Sequence, residues 1–326
     1  MDNTAFITGI AGQDGSYLAE LLLGKGYIVH GLVHYLEALP NSNIKHLVSD
    51  STIVGRTLFL HAGTLEDGTL LRRLIKKTKP DEFYHLAGQS SPRLSLEQPE
   101  MTAESVGMAT LRLLEILRDM EKPIKFLYAS SGEIFGNPAM SPQDEDTPVR
   151  PVTPYGAAKA FSQQITSIYR NAHKLPACSA ILYNHESPRR SASFVTMKIA
   201  RAAAMIKRGL QNELLLGSMT ARRDWGWAPD YVAGMWRMLQ AGGNDDYILA
   251  SGELHSVADF AEKAFECVGL DWHDYVKQDA TLMRTVELGA LCGNPAKAEK
   301  ILNWARTVNF ETLVESLVAS QYDGIG

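Results

Sequence analysis

The sequence lacks any apolar stretch approaching the roughly 20 residues that a membrane-spanning helix needs, and it opens on a strand pattern without a charged leader and cleavage site. A membrane partner is therefore not expected, and a cytoplasmic location is. Cysteine is scarce: Cys178, Cys267 and Cys292 are odd in number, far apart and without metal-ligand spacing. Idle or buried thiols fit this better than disulfides or a metal site, so no metal is expected. Nor is there an excess of positive charge. With 32 Lys and Arg against 37 Asp and Glu, the formal net charge of −5 gives no global attraction to polyanions. Nucleic acid and acidic surfaces are excluded as natural partners, and any anionic ligand must be met by a local basic pocket. Repeats and low-complexity tracts are missing too.

What is present is enough apolar material for a large core, 45% of 326 residues. Thr4 to Ile10 is a short apolar run ending near glycine, and Tyr17, Leu18, Leu21 and Leu22 then recur at helical spacing. Tyr27 to Val33 predicts a second strand, Leu70 to Lys79 a helix stopped by Pro80, and Glu82 to Ala87 a third strand. Leu111, Leu114 and Leu117 mark one face of a helix, Ile124 to Ala129 predicts a strand, Tyr155 to Ala172 a helix, and Ala177 to Tyr183 a strand. Strands alternating with helices imply parallel pairing with right-handed crossovers. The expected fold is α/β, a doubly wound parallel (Rossmann) sheet with its ligand crevice at the carboxyl ends of the strands. Beyond residue 183 the pattern loosens, with helices near Phe194 to Lys207 and Pro229 to Gln240, a strand at Tyr247 to Ala250, and helices from Val257 and Pro295. This predicts a dinucleotide-binding domain over 1–183, which also receives about 224–250, and a smaller substrate lobe over 184–326.

Gly9, Gly12 and Gly15, with Gln13 and Asp14 between them, lie where the first strand turns into the first helix. Backbone amides at such a helix start can hold a pyrophosphate. At the end of the second strand an acidic residue would favour NAD and an arginine NADP. His34 and Tyr35 supply neither, which leaves the choice of dinucleotide open on residue chemistry.

Ser131 and Glu133 follow a predicted strand and so belong over the crevice. Tyr155 and Lys159, four apart on a helix, share a face, where the ammonium can favour the ionised phenol and let Tyr155 act as a base near neutral pH. Simple dehydrogenation of a hydroxyl-bearing carbon needs one base. A second carboxyl group, Glu133, suggests a second proton transfer.

In these residues the sequence resembles the extended short-chain dehydrogenase/reductase family and, within it, the GDP-mannose 4,6-dehydratases. The likeness runs along nearly the whole chain: Gly12 to Glu20, Pro80-Asp81-Glu82, Ser130 to Gly136, Tyr155 with Lys159, and the run Asn184-His185-Glu186-Ser187-Pro188-Arg189-Arg190. It continues through Arg223-Asp224-Trp225-Gly226, Arg284-Thr285-Val286-Glu287 and Gly293-Asn294-Pro295. The resemblance implies oxidation of a sugar at C4 with Tyr155 as base, loss of the 6-hydroxyl as water assisted by Glu133, and return of the stored hydride to C6. Ser131 stands where such enzymes usually carry threonine.

The same resemblance assigns Leu86, Ala87, Gln89, His185 and Arg190 to the cofactor, with Lys159, His34, Thr64 and Leu65. It assigns Ser90, Asn184, Val195, Lys198, Arg223, Arg284 and Glu287 to a GDP-sugar substrate. It implies NADP, with NAD possible because His34 to His46 contains no arginine. Thr64 and Met101 stand where relatives carry aspartate and tyrosine. Helices near Thr102 to Met120 and Tyr155 to Ala172 imply a homodimer; a tetramer is left open. The expected function is a GDP-sugar 4,6-dehydratase acting on GDP-mannose or a close analogue. The alternatives are a reductase or epimerase on the same scaffold, or a dinucleotide-binding sensor without catalysis.

Overall fold

The first apolar run shows no alternation of apolar and polar residues, and the computed structural model, which describes residues 3–283 and 289–324, explains why. Ala5, Phe6 and Ile7 of β1 (Thr4–Thr8) are sealed from solvent on both faces, as happens in a parallel sheet covered by helices on each side. The sheet continues with β2 (Ile28–Val33), β3 (Leu58–Ala62), β4 (Glu82–His85), β5 (Lys125–Ala129), β6 (Ala177–Leu182) and the strand Tyr247–Leu249. All seven strands run parallel, and Tyr247–Leu249 pairs with β6 at one edge while β3 forms the other. β1 is flanked by β2 on one side and β4 on the other, so the winding direction reverses there. A ligand crevice opens at the carboxyl ends of strands at such a reversal.

The expected third strand at Glu82 is in fact the fourth in the chain. Leu58–Ala62 precedes it as the edge strand, only partly buried and interrupted by His61, so its sequence carries no continuous apolar run.

Helices fill both faces. On one, α1 (Gln13–Gly24) packs against α6 (Ala228–Gln240), burying Leu18, Leu22, Met235 and Met238. On the other, α2 (Gly68–Thr78), α3 (Ala109–Arg118) and α4 (Pro154–His173) bury Leu71, Leu113, Leu117 and Tyr169. α3 continues from a wider π-helical turn at Ala103–Met108, where the Val106 carbonyl accepts from Ser162 of α4 at 3.1 Å.

The later half builds its own core. α5 (Val195–Lys207) and the helices Val257–Glu266 and Phe310–Asp323 pack Ile199, Phe260, Phe265 and Leu317 around Trp225. Two short parallel strands, Asn184–Glu186 and Trp225–Trp227, pair beside the sheet. Asp224 ties this region together. Its carboxylate accepts from the Ser251 and Gly252 amides at 2.7 and 3.0 Å, the Ser251 hydroxyl at 2.7 Å and the Gly293 amide at 3.1 Å. Burial pushes Asp224 up to about 6, against the lowering effect of those hydrogen bonds. Removing the acceptor strands buried N–H groups, each costing about 1–3 kcal/mol. Asp224→Ala is expected to lose about 3 kcal/mol or more of unfolding free energy in denaturant titration; a loss below about 1 kcal/mol would show that water replaces the carboxylate without penalty.

Candidate active site

The turn after β1 is shaped by close approach. Gly9 adopts a φ of +76°, and a Cβ there would lie 2.9 Å from the Ala87 amide nitrogen. A Cβ on Gly15 would meet the Gly9 carbonyl oxygen at 2.2 Å, so α1 can start against the turn only if that position is glycine. Gly12 caps α1 without a side chain, leaving the first-turn amides of the helix directed at the crevice. The turn closes a cavity of about 290 Å³ lined by Gly9, Gly12, Leu32, Val33, His34, Tyr35, Leu39, Gly63, Leu65 and Ala87, among others. A side-chain-free helix start beside a largely apolar slot fits a pyrophosphate with a flat aromatic base.

The next two residues reach across to the later half of the chain. Gln13 donates to the His185 carbonyl at 3.1 Å and accepts from the Ser187 hydroxyl at 2.9 Å. Asp14 meets His185 Nε2 at 2.9 Å, while His185 Nδ1 lies 2.7 Å from the Tyr183 carbonyl. Both ring nitrogens face acceptors, so both donate and the ring carries a positive charge. It stacks on Tyr231 with ring centroids 4.7 Å apart.

β5 delivers Ser131 to the crevice. The Ser131 hydroxyl accepts from the Glu133 amide at 3.2 Å, capping a single 3-10 turn, Gly132–Phe135, that swings the Glu133 side chain toward α4. Thr153 caps α4: its hydroxyl accepts from the Gly156 amide at 3.0 Å and donates to Glu133 Oε2 at 3.3 Å. A Cβ on Gly156 would approach the Glu133 carbonyl oxygen to 2.8 Å, so glycine after Tyr155 lets the two turns meet. The first turn of α4 carries Tyr155, whose phenol hydrogen-bonds Ser131 and feels the Glu133 carboxylate. Glu133 is half-buried.

The electrostatics depart from the expectation that Lys159 makes Tyr155 a ready base. The Tyr155 phenol is pushed above its ordinary value, by burial first and by Glu133 second, against the lowering effects of Ser131 and Arg190. Lys159 Nζ donates to the Ala129 carbonyl at 2.6 Å and sits 5.7 Å from the Tyr155 ring centroid. Burial lowers Lys159 to about 8. The residues alone therefore hold Tyr155 protonated, and ionising it requires further positive charge in the crevice.

The remaining expected residues scatter around this centre. Leu86 and Ala87 follow β4, with Ala87 donating to the Thr8 hydroxyl at 3.3 Å. Gln89 donates to the Ser91 carbonyl at 2.8 Å and the Thr102 hydroxyl at 3.3 Å, fixing the next loop, where Ser90 is exposed. Thr64 is exposed, and its neighbours Gly63 and Leu65 line the cavity. Arg190 pairs with buried Glu186 at 3.2 Å and lies over the Phe194 ring. Asn184 lies on the strand paired with Trp225–Trp227, Val195 starts α5, and Lys198 donates to the Leu215 carbonyl at 2.6 Å. Arg223 is buried and donates to the Arg222 carbonyl at 2.7 Å. Arg284 and Glu287 lie outside the described residues. Thr153 and Ser187 join the site without having been expected there; the Thr-Pro pair opening α4 is a readable helix-start signal for the first, and the second lies inside the Asn184–Arg190 run without an expected role of its own.

A buried ammonium at about 8 is a burden on the fold at neutral pH. Lys159→Met should abolish turnover yet leave thermal stability at pH 7 equal or higher, by up to about 3 kcal/mol. Because the unfolded lysine titrates higher, that gain should shrink as pH rises above about 8. A variant less stable than the parent at pH 7 would contradict this account.

Comparison with known proteins bears directly on the arrangement. The family model for GDP-mannose 4,6 dehydratase matches residues 6–317. GDP-mannose 4,6 dehydratase 2 of Arabidopsis thaliana is 47% identical over 96% of this chain and 85% of its own length. The Homo sapiens GDP-mannose 4,6 dehydratase is 41% identical over 97% of this chain and 90% of its own length. Among solved structures, a dTDP-glucose 4,6-dehydratase from Streptomyces venezuelae with NAD bound superposes with a TM-score of 0.85 at 22% identity, covering 98% of this chain and 97% of that one. RMD from Pseudomonas aeruginosa, solved with NADPH, gives 0.80 at 23% identity over 99% of both chains. At those identities the superpositions speak to the fold alone. The match along almost the entire sequence, together with the fold it implies, makes the chain a member of the GDP-mannose 4,6-dehydratase family.

Proposed function

We propose that the protein is a nicotinamide-dependent hydro-lyase, a GDP-sugar 4,6-dehydratase that converts GDP-mannose or a close analogue to the GDP-4-keto-6-deoxy sugar. The observation that carries this reading is the Glu133 carboxylate, held by Thr153 beside the Ser131–Tyr155 pair. A dehydrogenase has no use for a second proton-transferring group there. When bound, a nicotinamide dinucleotide supplies the oxidant for C4 and gives the reducing equivalent back at C6, so no external reductant is consumed.

In this reading the Tyr155 Oη receives the proton of the sugar 4-hydroxyl, and Ser131 orients that hydroxyl. The 4-keto group acidifies C5. Glu133 then takes the C5 proton and delivers a proton to the departing 6-hydroxyl, which leaves as water. Lys159, an ammonium at neutral pH, favours the ionised phenol during the first transfer. Gly9, Gly12, Gly15, Gln13 and Asp14 serve the dinucleotide with Leu65, Ala87 and His185. Asn184, Lys198, Arg223, Arg284 and Glu287 serve the GDP-sugar, where Arg and Lys meet the diphosphate and a carboxylate accepts from guanine. The sheet domain, with Tyr247–Leu249 at its edge, carries the cofactor and the later lobe carries the sugar.

Incubated with GDP-mannose and no reductant, the protein should yield a product lighter by one water in mass spectrometry. Glu133→Gln should lower dehydration by about 10²-fold or more, the usual contribution of a general acid–base, while reduction of the bound nicotinamide, read by its absorbance and reporting hydride loss from C4, persists. Unchanged substrate across a panel of GDP sugars would overturn the reading, and full activity in Glu133→Gln would overturn the role of Glu133.

A cytoplasmic homodimer belongs to the same proposal. Met101 and Met108, on the turns leading into α3, and Phe161 and Ile168 on α4 are exposed apolar side chains on two neighbouring helical elements, a surface suited to a second copy. Light scattering should give twice the mass of one chain, and Ile168→Glu should shift it to one. A monomer in the unaltered protein would sink this part.

A further inference from the structure

We infer that the adenosine end of the dinucleotide site takes an unphosphorylated ribose, so that the chain binds NAD(H) and discriminates against NADP(H). This rests on the dinucleotide reading above. In this fold, the residues that follow β2 border the ribose, and a 2′-phosphate there is met by arginine. β2 ends at Val33, and the chain then runs through exposed His34 and Tyr35 into the 3-10 turn Leu36–Asn41.

The cavity wall made by this segment contains no Arg or Lys. Tyr35, Ala38, Leu39 and Ser42 face Gly63 and Leu65 across it. A 2′-phosphate brings a charge of about −2 and three strong acceptors, and this wall offers it a buried leucine pair and no fixed cation. The first turn of the same 3-10 segment carries Glu37, adding repulsion. Arg189, whose carbonyl accepts from Asn43 of this region at 3.3 Å, points its guanidinium elsewhere: it donates to Ser16 at 3.0 Å and Glu20 at 2.5 Å and lies 4.0 Å over the Tyr17 ring. His46 is paired with the same Glu20 carboxylate. A ribose hydroxyl asks for much less. One donor or acceptor satisfies it, and the His34 imidazole at the cavity rim is such a group.

The test is calorimetric titration of the nucleotide-free protein with NAD⁺ and NADP⁺. NAD⁺ should bind at least about tenfold more tightly, and the nucleotide released on denaturing freshly purified protein should have the mass of NAD. The double variant His34→Arg, Tyr35→Arg, altered at two exposed positions, should gain about tenfold or more in NADP⁺ affinity. Equal or tighter NADP⁺ binding by the unaltered protein overturns the inference and leaves the dehydratase reading standing. Failure of both nucleotides to bind at about millimolar concentration overturns both. A double variant that keeps its NAD⁺ affinity and gains none for NADP⁺ overturns the assignment of the ribose to this wall.

Discussion

The pair between His185 and Asp14, largely shielded from solvent, joins the two halves of the chain beside the glycine turn. Burial alone opposes charge on both partners, yet each is shifted toward its charged form because it faces the other: Asp14 lies below the ordinary carboxyl range and His185 above the ordinary imidazole range. The raised histidine contributes stability that is whole below its unfolded value and fades as pH rises through the folded one. The depressed aspartate contributes stability that is whole above its unfolded value and fades as pH falls. The clasp is therefore complete between about 4 and about 6.5 and weakens beyond either side. A buried ion pair is weak grounds for net stability; its value here is geometric. It fixes the glycine turn against the segment that leads into the later lobe, and the Gln13–Ser187 bond repeats the attachment.

From that attachment follows the electrical character of the crevice. The positive imidazole is neutralised locally by Asp14, and Arg190 by Glu186. Tyr155 is consequently governed by its burial and by Glu133, both of which keep its proton on. An idle site of this kind resists forming a phenolate until a cationic ligand arrives to favour it, which couples base formation to ligand binding. The same burial that protects the phenol holds Lys159 near the point of losing its proton, so one desolvated pocket acts on two residues in opposite directions.

Much of the sheet domain could be read from sequence because its determinants are local. β1, the glycine turn and α1 occupy consecutive residues, and the periodicity of Leu18 and Leu22 reports their burial directly. Leu58–Ala62 escaped because an edge strand is half-exposed, and its His61, 3.0 Å from His30 of β2, is held by a neighbour distant in sequence. Ser131, Glu133, Tyr155 and Lys159 were legible as a candidate set of residue types, but the direction of their electrostatics was not. That Lys159 spends a hydrogen bond on Ala129 and that Thr153 holds Glu133 depend on how α4 docks on β5, which no spacing encodes.

The later lobe was less legible for the same reason in stronger form. Its strands are two or three residues long and pair with partners far away in sequence: Asn184–Glu186 with Trp225–Trp227, and His255–Ser256 with Arg222–Arg223. Elements this short have no periodicity to detect and no independent stability. They persist because fully buried Asp224 gathers amides from residues 251, 252 and 293 around one carboxylate, and Gln143 does likewise, accepting from Tyr183 and Cys292. Such hubs set positions across segments instead of along them. A surface built this way can change its contacts by altering loops while the hubs keep the backbone in place. The glycine turn after β1 has no such latitude, because at Gly15 an added Cβ would sit 2.2 Å from the Gly9 carbonyl oxygen.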